Sequence, residues 1–116
     1  MLPGDASSIV ICAFADLSDP GSRGFRVERG EEPLDLLIVR QEDEVFAYQN
    51  RCPHTGINLE WQPDHFLDGS QTYIQCSTHG ALFQITDGLC LRGPCVGQRL
   101  SKLEAGVVDG QVVLTL

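Results

Sequence analysis

The chain has 116 residues, of which 42% are hydrophobic and 21% are charged, so we expect one domain over residues 1–116 with a single core. Sixteen acidic and 8 basic residues give a formal net charge of −8, which argues against a nucleic-acid surface because such a surface needs a basic patch. No run reaches the roughly 18 apolar residues of a membrane helix, so we expect no contact with membranes.

Short β-type runs interrupted by Gly, Pro, Asp and Asn predict an all-β fold, because those residues end strands and form turns. In the first half, the predicted strands are Ser8–Phe14, Gly24–Glu28, Leu34–Arg40 and Glu44–Gln49. A short helix is compatible with Asp16–Gly21. A polar bend around Gly30–Pro33 follows the second strand, and the last two strands form a predicted hairpin around the turn Gln41–Asp43.

The second half has the same character. Its predicted strands are Thr72–Gln75, Ala81–Ile85, Leu89–Arg92, Leu100–Glu104, Val107–Val108 and Gln111–Leu116. Asp87-Gly88 and Asp109-Gly110 are typical of tight hairpin turns. We therefore expect an antiparallel β sandwich or barrel made from both ends of the chain, with a ligand-carrying piece inserted at about residues 50–95.

Two short stretches of that piece each offer one cysteine and one histidine, Cys52-Pro-His54 and Cys76-Ser-Thr-His79. Two thiolates and two imidazoles can hold a 2Fe-2S cluster in which histidines replace two cysteines on one iron, or a tetrahedral zinc ion. The close Cys-x-His spacing would crowd two ligands of one tetrahedral ion, and zinc fingers use other spacings. The pattern therefore favours two neighbouring metals.

The order Cys52-Pro-His54-Thr-Gly56, then Cys76-Ser-Thr-His79-Gly80-Ala-Leu-Phe83, then Gly93-Pro94 resembles a Rieske-type 2Fe-2S domain. The resemblance implies that Cys52 and Cys76 bind one iron and that His54 and His79 bind the other. It also implies that Gly56, Gly80 and Pro94 shape the surroundings of the cluster. The 21 residues between His54 and Cys76 exceed the spacing of compact members, and we assign the extra material to a surface loop at Trp61–Ser70.

Three positions predict the class of Rieske protein. High-potential members carry an extra disulfide-forming cysteine in each loop, where this chain has Ile57 and Thr78, and a serine where it has Ala81. These differences predict a low potential, near about −150 mV. The chain then resembles the ferredoxin component of ring-hydroxylating oxygenases, and it is also similar to the small subunit of nitrite reductase.

The resemblance implies a one-electron carrier between a flavin-dependent reductase and a partner oxygenase or reductase. It is not expected to be an enzyme, because only His65 remains once the cluster is filled, too few histidines for a mononuclear iron site. No nucleotide-binding glycine motif is present either. Two alternatives remain: a Rieske small subunit or redox regulator of a larger reductase, and a zinc-stabilised binding module.

The remaining three cysteines, Cys12, Cys90 and Cys95, cannot all pair, and the chain starts without a secretory signal pattern. Both features favour a reducing, cytoplasmic setting. We expect Cys90 to be a small buried apolar residue in a strand. Cys95 is expected near the cluster without binding it, and both to remain free thiols.

Overall fold

A computed structural model describes residues 8–29, 31–53, 59, 64–76 and 80–115. The strands of this part are β1 Ser8–Ala13, β2 Gly21–Arg29, β3 Glu32–Gln41, β4 Glu44–Gln49, β5 Tyr73–Gln75, β6 Leu82–Gln84, β7 Cys90–Arg92, β8 Lys102–Val108 and β9 Gln111–Thr115. All pairings between them are antiparallel, which confirms the predicted all-β class. Within the same ranges, no helix is long and apolar enough to span a membrane.

The larger sheet has six strands in the order β1-β9-β8-β4-β3-β2 and curls into a nearly closed barrel. Strands from the two ends of the chain lie side by side, since Ile9 of β1 pairs with Leu114 of β9. The β8–β9 turn holds Asp109 and Gly110 at φ values of 51° and 76°, as a two-residue hairpin turn of this kind requires. The predicted scaffold from both chain ends is confirmed.

Strand β3 is buried on both faces, which explains its almost continuous apolar sequence. Leu36 and Ile38 point into the barrel core together with Val112 and Leu114 of β9. Leu37 and Val39 alternate with them and pack into a second core, whose other members come mostly from residues 52–100. One strand thus forms a wall of both cores.

The second core belongs to the segment between β4 and β8. It contains a three-stranded sheet in the order β5-β6-β7. Strands β4 and β8 pair with each other, Ala47 opposite Leu103, so the segment leaves and rejoins the large sheet at one place. This is the predicted insertion.

Several predicted boundaries were wrong. The helical turn is a 3-10 helix at Phe14–Asp16 rather than around Asp16–Gly21, because β2 already begins at Gly21. Part of the predicted bend at Gly30–Pro33 is strand, since Glu32 and Pro33 belong to β3 and pair with β2. The two predicted strands at 100–104 and 107–108 are one strand, β8, since residues 104–108 pair without a break with β9.

The β6–β7 connection is also longer than the predicted two-residue turn at Asp87-Gly88. It spans residues 85–89 and is closed by hydrogen bonds from Gly88 N to Gln84 O and from Gln84 N to Leu89 O, both 2.8 Å. Asp87 Oδ1 accepts a further bond from the Leu89 N–H at 3.0 Å. The additional residues form a compact turn against the second core.

The described part of the predicted surface loop, residues 64–70, is not purely a surface feature. Phe66 is fully buried in the second core, and its carbonyl accepts a hydrogen bond from Gln75 N. Leu67 forms an isolated β-bridge with Ile74. The segment therefore packs alongside β5 because it supplies an aromatic side chain to the core. Trp61 lies outside the described residues.

Candidate metal centre

The two predicted cysteine ligands lie in the same core. Cys52 follows β4 and Cys76 follows β5, and their exposed fractions are 1% and 0%. Both belong to the cluster of buried side chains in the inserted segment. The predicted histidine ligands His54 and His79, and also Gly56, lie outside the described residues.

Asn50 anchors the first predicted ligand loop at both ends. Its backbone N–H donates to Asp35 O on β3, and its side-chain Oδ1 accepts from the Leu59 N–H, each at 2.8 Å. Only 6% of Asn50 is exposed. Asn50 therefore connects the chain just before Cys52 both to Leu59 and to the large sheet. Asn50 is not among the predicted site residues, although an asparagine at a strand end just before Cys52 is a usable signal.

The second predicted ligand loop is closed by the backbone of its own ends. Cys76 N donates to Ala81 O at 2.9 Å, and Gly80 N donates to Cys76 O at 3.0 Å. Gly80 has a φ of +65°, in the left-handed region where glycine is favoured. The predicted importance of Gly80 thus has a conformational basis in the loop that carries Cys76.

A third loop, residues 93–97, lies against the second one. Gly93 has a φ of +109°, and a Cβ at this position would be 2.9 Å from Ala81 Cα. Only glycine allows this approach of the two backbones. The next residue, Pro94, is exposed, and Cys95 is 1% exposed. The loop therefore turns from the surface into the core beside Ala81.

Cys90 and Cys95 are in direct contact under this loop. Cys95 Sγ donates to Cys90 Sγ at 3.1 Å, and Cys90 Sγ donates to Arg92 O at 3.2 Å. Burial, the bond to Cys90 and the proximity of Cys52 raise the pKa of Cys95 to about 12. All five cysteines lie in the described ranges, and none is joined in a disulfide there. That Cys90 and Cys95 are free thiols stays a prediction.

Tyr48 fastens the other side of the inserted segment to the large sheet. Its hydroxyl donates to Ile85 O at 2.6 Å, and a Cβ on Gly88 would come within 2.9 Å of its ring. Burial, with a smaller contribution from Asp87, raises the pKa of Tyr48 to about 12. This contact is not evident from the sequence, because the two partners are 37 positions apart in the chain.

The donor chemistry of this core suits an iron–sulfur group. Thiolates are soft ligands preferred by iron–sulfur clusters and zinc, and burial in apolar surroundings limits access of water to such a group. Cys52 and Cys76 are the described part of the predicted ligand set, and each follows a different strand into the same core. The residues present therefore fit a group held between the two loops.

Comparison with known proteins decides the family, since the sequence matches the Rieske [2Fe-2S] domain over residues 7–111. The chain belongs to the Rieske domain family. No curated protein matches the sequence significantly. The family match confirms one Rieske-type 2Fe-2S cluster as the cofactor and decides against zinc as the metal of this Rieske domain.

Solved structures that resemble this chain include ferredoxins. A chain in a structure described as the complex of reduced oxygenase and oxidised ferredoxin in carbazole 1,9a-dioxygenase is 28% identical, with a TM-score of 0.74 and 94% and 93% of the two chains covered. The carbazole 1,9a-dioxygenase ferredoxin of Nocardioides aromaticivorans IC177 is 18% identical, with a TM-score of 0.74 and 94% and 97% covered.

A third structure, a ferredoxin of Sphingomonas yanoikuyae B1, has a TM-score of 0.68 at 24% identity, with 94% and 98% of the two chains covered. The last two comparisons, at their low identities, establish the fold. Together with the family match, the set confirms the predicted interpretation of this Rieske domain as an electron carrier of the ferredoxin type.

Proposed function

We propose that this protein accepts one electron from a flavin-dependent reductase and passes it to a Rieske-type oxygenase. The observation that carries the proposal is the burial of Cys52 and Cys76 in one core of a chain that matches the Rieske family over residues 7–111. The 28% identical chain from an oxygenase–ferredoxin complex supports an oxygenase as the acceptor.

We propose Cys52 and Cys76 as ligands of one iron, and His54 and His79 as ligands of the other. The cluster supplies a site that is reduced and oxidised by one electron. The protein's own contribution is to bury the thiolate side, where both cysteines are almost fully inaccessible. We propose that electrons leave on the histidine side, at the tips of the two loops, where a small transient contact with the partner suffices.

We propose that Gly80 and Pro94 shape this environment from the described loops, as Gly56 does from the first loop. Ala81 lies 1% exposed between the Cys76 loop and Gly93. It offers no hydroxyl to a cluster sulfur, which supports a potential at the low end of the Rieske range. A low potential suits an electron donor to an oxygenase.

We further propose that the protein is not itself an enzyme and works in the cytoplasm as one domain of residues 1–116, with the cluster bound at about residues 50–95. Support comes from the five cysteines, none of which is in a disulfide. A reducing compartment keeps such thiols reduced. The closed attachment of the inserted segment between β4 and β8 supports the single domain.

The proposal is tested with anaerobically purified protein. We expect two irons and two acid-labile sulfides per chain, and the electron paramagnetic resonance spectrum of a Rieske cluster after dithionite reduction. The reduced protein should reoxidise rapidly on mixing with an oxidised Rieske oxygenase. A colourless protein with one metal ion per chain would overturn the cofactor, and reoxidation no faster than in buffer would overturn the acceptor.

The ligand assignment has a matched control in the third histidine of the chain. His54→Cys and His79→Cys should each lower the reduction potential or abolish cluster binding. His65→Cys should retain both, because His65 lies exposed on the segment before Phe66. An unchanged potential in either of the first two variants contradicts the assignment. Co-purification with a large reductase subunit would instead favour a small-subunit function.

A further inference from the structure

Cys90 and Cys95 form a pair of thiols that has no role in the proposed electron transfer. Their Sγ atoms are 3.1 Å apart. A disulfide bond has an S–S length of about 2.05 Å, so closing the gap requires an approach of about 1 Å. Neither cysteine is a proposed cluster ligand.

The backbone holds this pair together. Residues 90–98 fold back on themselves, with Gly97 N donating to Cys90 O at 3.3 Å, Cys90 N donating to Gln98 O at 2.8 Å and Gln98 N donating to Cys95 O at 2.8 Å. This ring of backbone bonds fixes the positions of both cysteines. The short Sγ–Sγ distance is therefore a property of the fold of the loop.

The thiol pair lies directly beneath an exposed strip of chain. Cys90 and Cys95 are each 1% exposed, whereas residues 91–94 and 96–99 are exposed. The neighbours of both cysteines in the chain are therefore at the surface, while the two thiols themselves are covered. Such burial favours a small oxidant such as hydrogen peroxide over a protein thiol or a bulky reagent.

We propose that Cys90 and Cys95 are a modification site at which hydrogen peroxide produces an intramolecular disulfide. Cys90, whose sulfur accepts the hydrogen bond from Cys95, reacts as the thiolate: its sulfur attacks a peroxide oxygen, and the released proton joins the departing hydroxide, which gives a sulfenic acid and one water. The second thiol sulfur then attacks the sulfenic sulfur, forming the S–S bond and releasing the second water. In total the two thiols lose two electrons and two protons, and the peroxide is reduced to two waters.

The disulfide would close the loop that packs on Ala81. Gly93, inside the ring between the two cysteines, is the residue whose Cβ would collide with Ala81. Ala81 O in turn accepts the hydrogen bond from Cys76 N. The modification therefore fixes a loop in contact with the segment that holds one proposed cluster ligand.

The test uses the cluster-loaded protein and about one equivalent of hydrogen peroxide. After quenching, the chain is denatured without reductant, alkylated and mapped by mass spectrometry. We expect a chain lighter by two hydrogen atoms, with a Cys90–Cys95 disulfide peptide that a dithiol reductant reverses. Cys12 should be alkylated, and the visible absorption of the cluster should persist through the treatment.

Three serine variants complete the test, the third as a control. Cys95→Ser and Cys90→Ser should each bind the cluster and fail to form the disulfide, and Cys12→Ser should behave as the unmodified sequence does. Oxidation to a sulfinic acid without a disulfide would overturn the proposal. A disulfide that involves Cys52, or loss of the cluster before any Cys90–Cys95 bond forms, would overturn it as well. These results are independent of electron transfer to an oxygenase.

Discussion

The backbone N–H of Gln49 donates to the carbonyl of Ser101 at 2.9 Å, although 52 positions separate the two residues in the chain. This bond continues the β4–β8 pairing, in which Tyr48 lies opposite Lys102. The segment that carries the proposed ligands thus begins and ends at one point of the large sheet. Its position is then fixed by a small number of further contacts, each of which can be tested.

Asn50 is the first of these contacts. Asn50→Ala removes the acceptor for the Leu59 N–H, and a buried donor without a partner costs about 1–3 kcal/mol. We expect the free energy of unfolding, measured by denaturant titration, to fall by that amount and the cluster to be lost faster in air. Asn50→Asp retains a carbonyl-type acceptor and should keep most of the stability. Equal stability of the alanine variant and the parent would contradict the anchoring role.

Gly93 and Gly97 provide a matched pair for the contact between the 93–97 loop and Ala81. Both have positive φ, +109° and +92°, but a Cβ at Gly97 would meet no atom within 4 Å. Gly93→Ala should therefore destabilise the protein by about 1–3 kcal/mol more than Gly97→Ala, because it adds overpacking to the same backbone strain. Thermal unfolding of the two variants side by side measures the difference. Equal losses would mean that the close approach to Ala81 is easily relieved.

Because Tyr48 is buried, we expect the free energy of unfolding to fall at alkaline pH. Burial raises its pKa from 10.0 to about 12, so the folded protein holds the phenol proton more tightly than the unfolded chain does. Stability from this group is complete below pH 10.0 and is lost as the pH rises toward about 12. Denaturant titrations across this interval should show a steeper decline for the parent than for Tyr48→Phe. Parallel declines would contradict the prediction.

The Tyr48→Phe variant also reports on the hydrogen bond to Ile85 O. Its removal leaves a buried carbonyl without that donor, and we expect a loss of about 1–3 kcal/mol at neutral pH. Tyr73→Phe is the control, because Tyr73 is only partly buried and lies on β5.

For Asp68 we expect the opposite pH dependence, a loss of folding stability in acid. Partial burial raises its pKa, but hydrogen bonds from Ser70 Oγ and from the N–H groups of Tyr73 and Thr72 outweigh it and hold the pKa below the ordinary 3.8. This group therefore stabilises the fold above pH 3.8, and the contribution disappears as the pH falls through the lowered value. Acid titration of stability should be shallower for Asp68→Asn than for the parent.

Asp43→Asn controls for the change in net charge, since Asp43 is an exposed carboxylate in the β3–β4 turn. An acid titration of Asp68→Asn that coincides with the parent curve would show that the hydrogen bonds to Asp68 do not favour its charged form.

Local chemistry explains which features were predictable from the sequence. Asp109-Gly110 specifies its turn through two adjacent residues, and the spacing within each Cys-His pair identifies the proposed ligands without knowledge of the fold. The continuous apolar run that includes Leu36, Leu37 and Ile38 is consistent with a strand, although such a run alone does not distinguish a strand buried on both faces from a buried helix.

The features that were missed depend on partners far apart in the chain. Tyr48 meets Ile85 across 37 positions, and Phe66 is buried because it packs under β5 rather than because of its polar neighbours. Asn50 and Leu59 are closer in the chain, yet a single sequence does not show which backbone N–H will donate a hydrogen bond to the Asn50 side chain. The predicted strand ends failed for a related reason, since β2 extends to Gly21 only because β3 offers Arg40 as its partner.

The double burial of β3 has a consequence for engineering. Leu37 and Val39 line the compartment that carries the proposed ligands, while Leu36 and Ile38 of the same strand line the barrel. A transplant of residues 50–101 into a foreign host would leave behind one wall of its own interior. A smaller protein built from this redox unit must therefore include β3 and β4. Otherwise the host protein must supply a strand that presents matching aliphatic side chains on its outer surface.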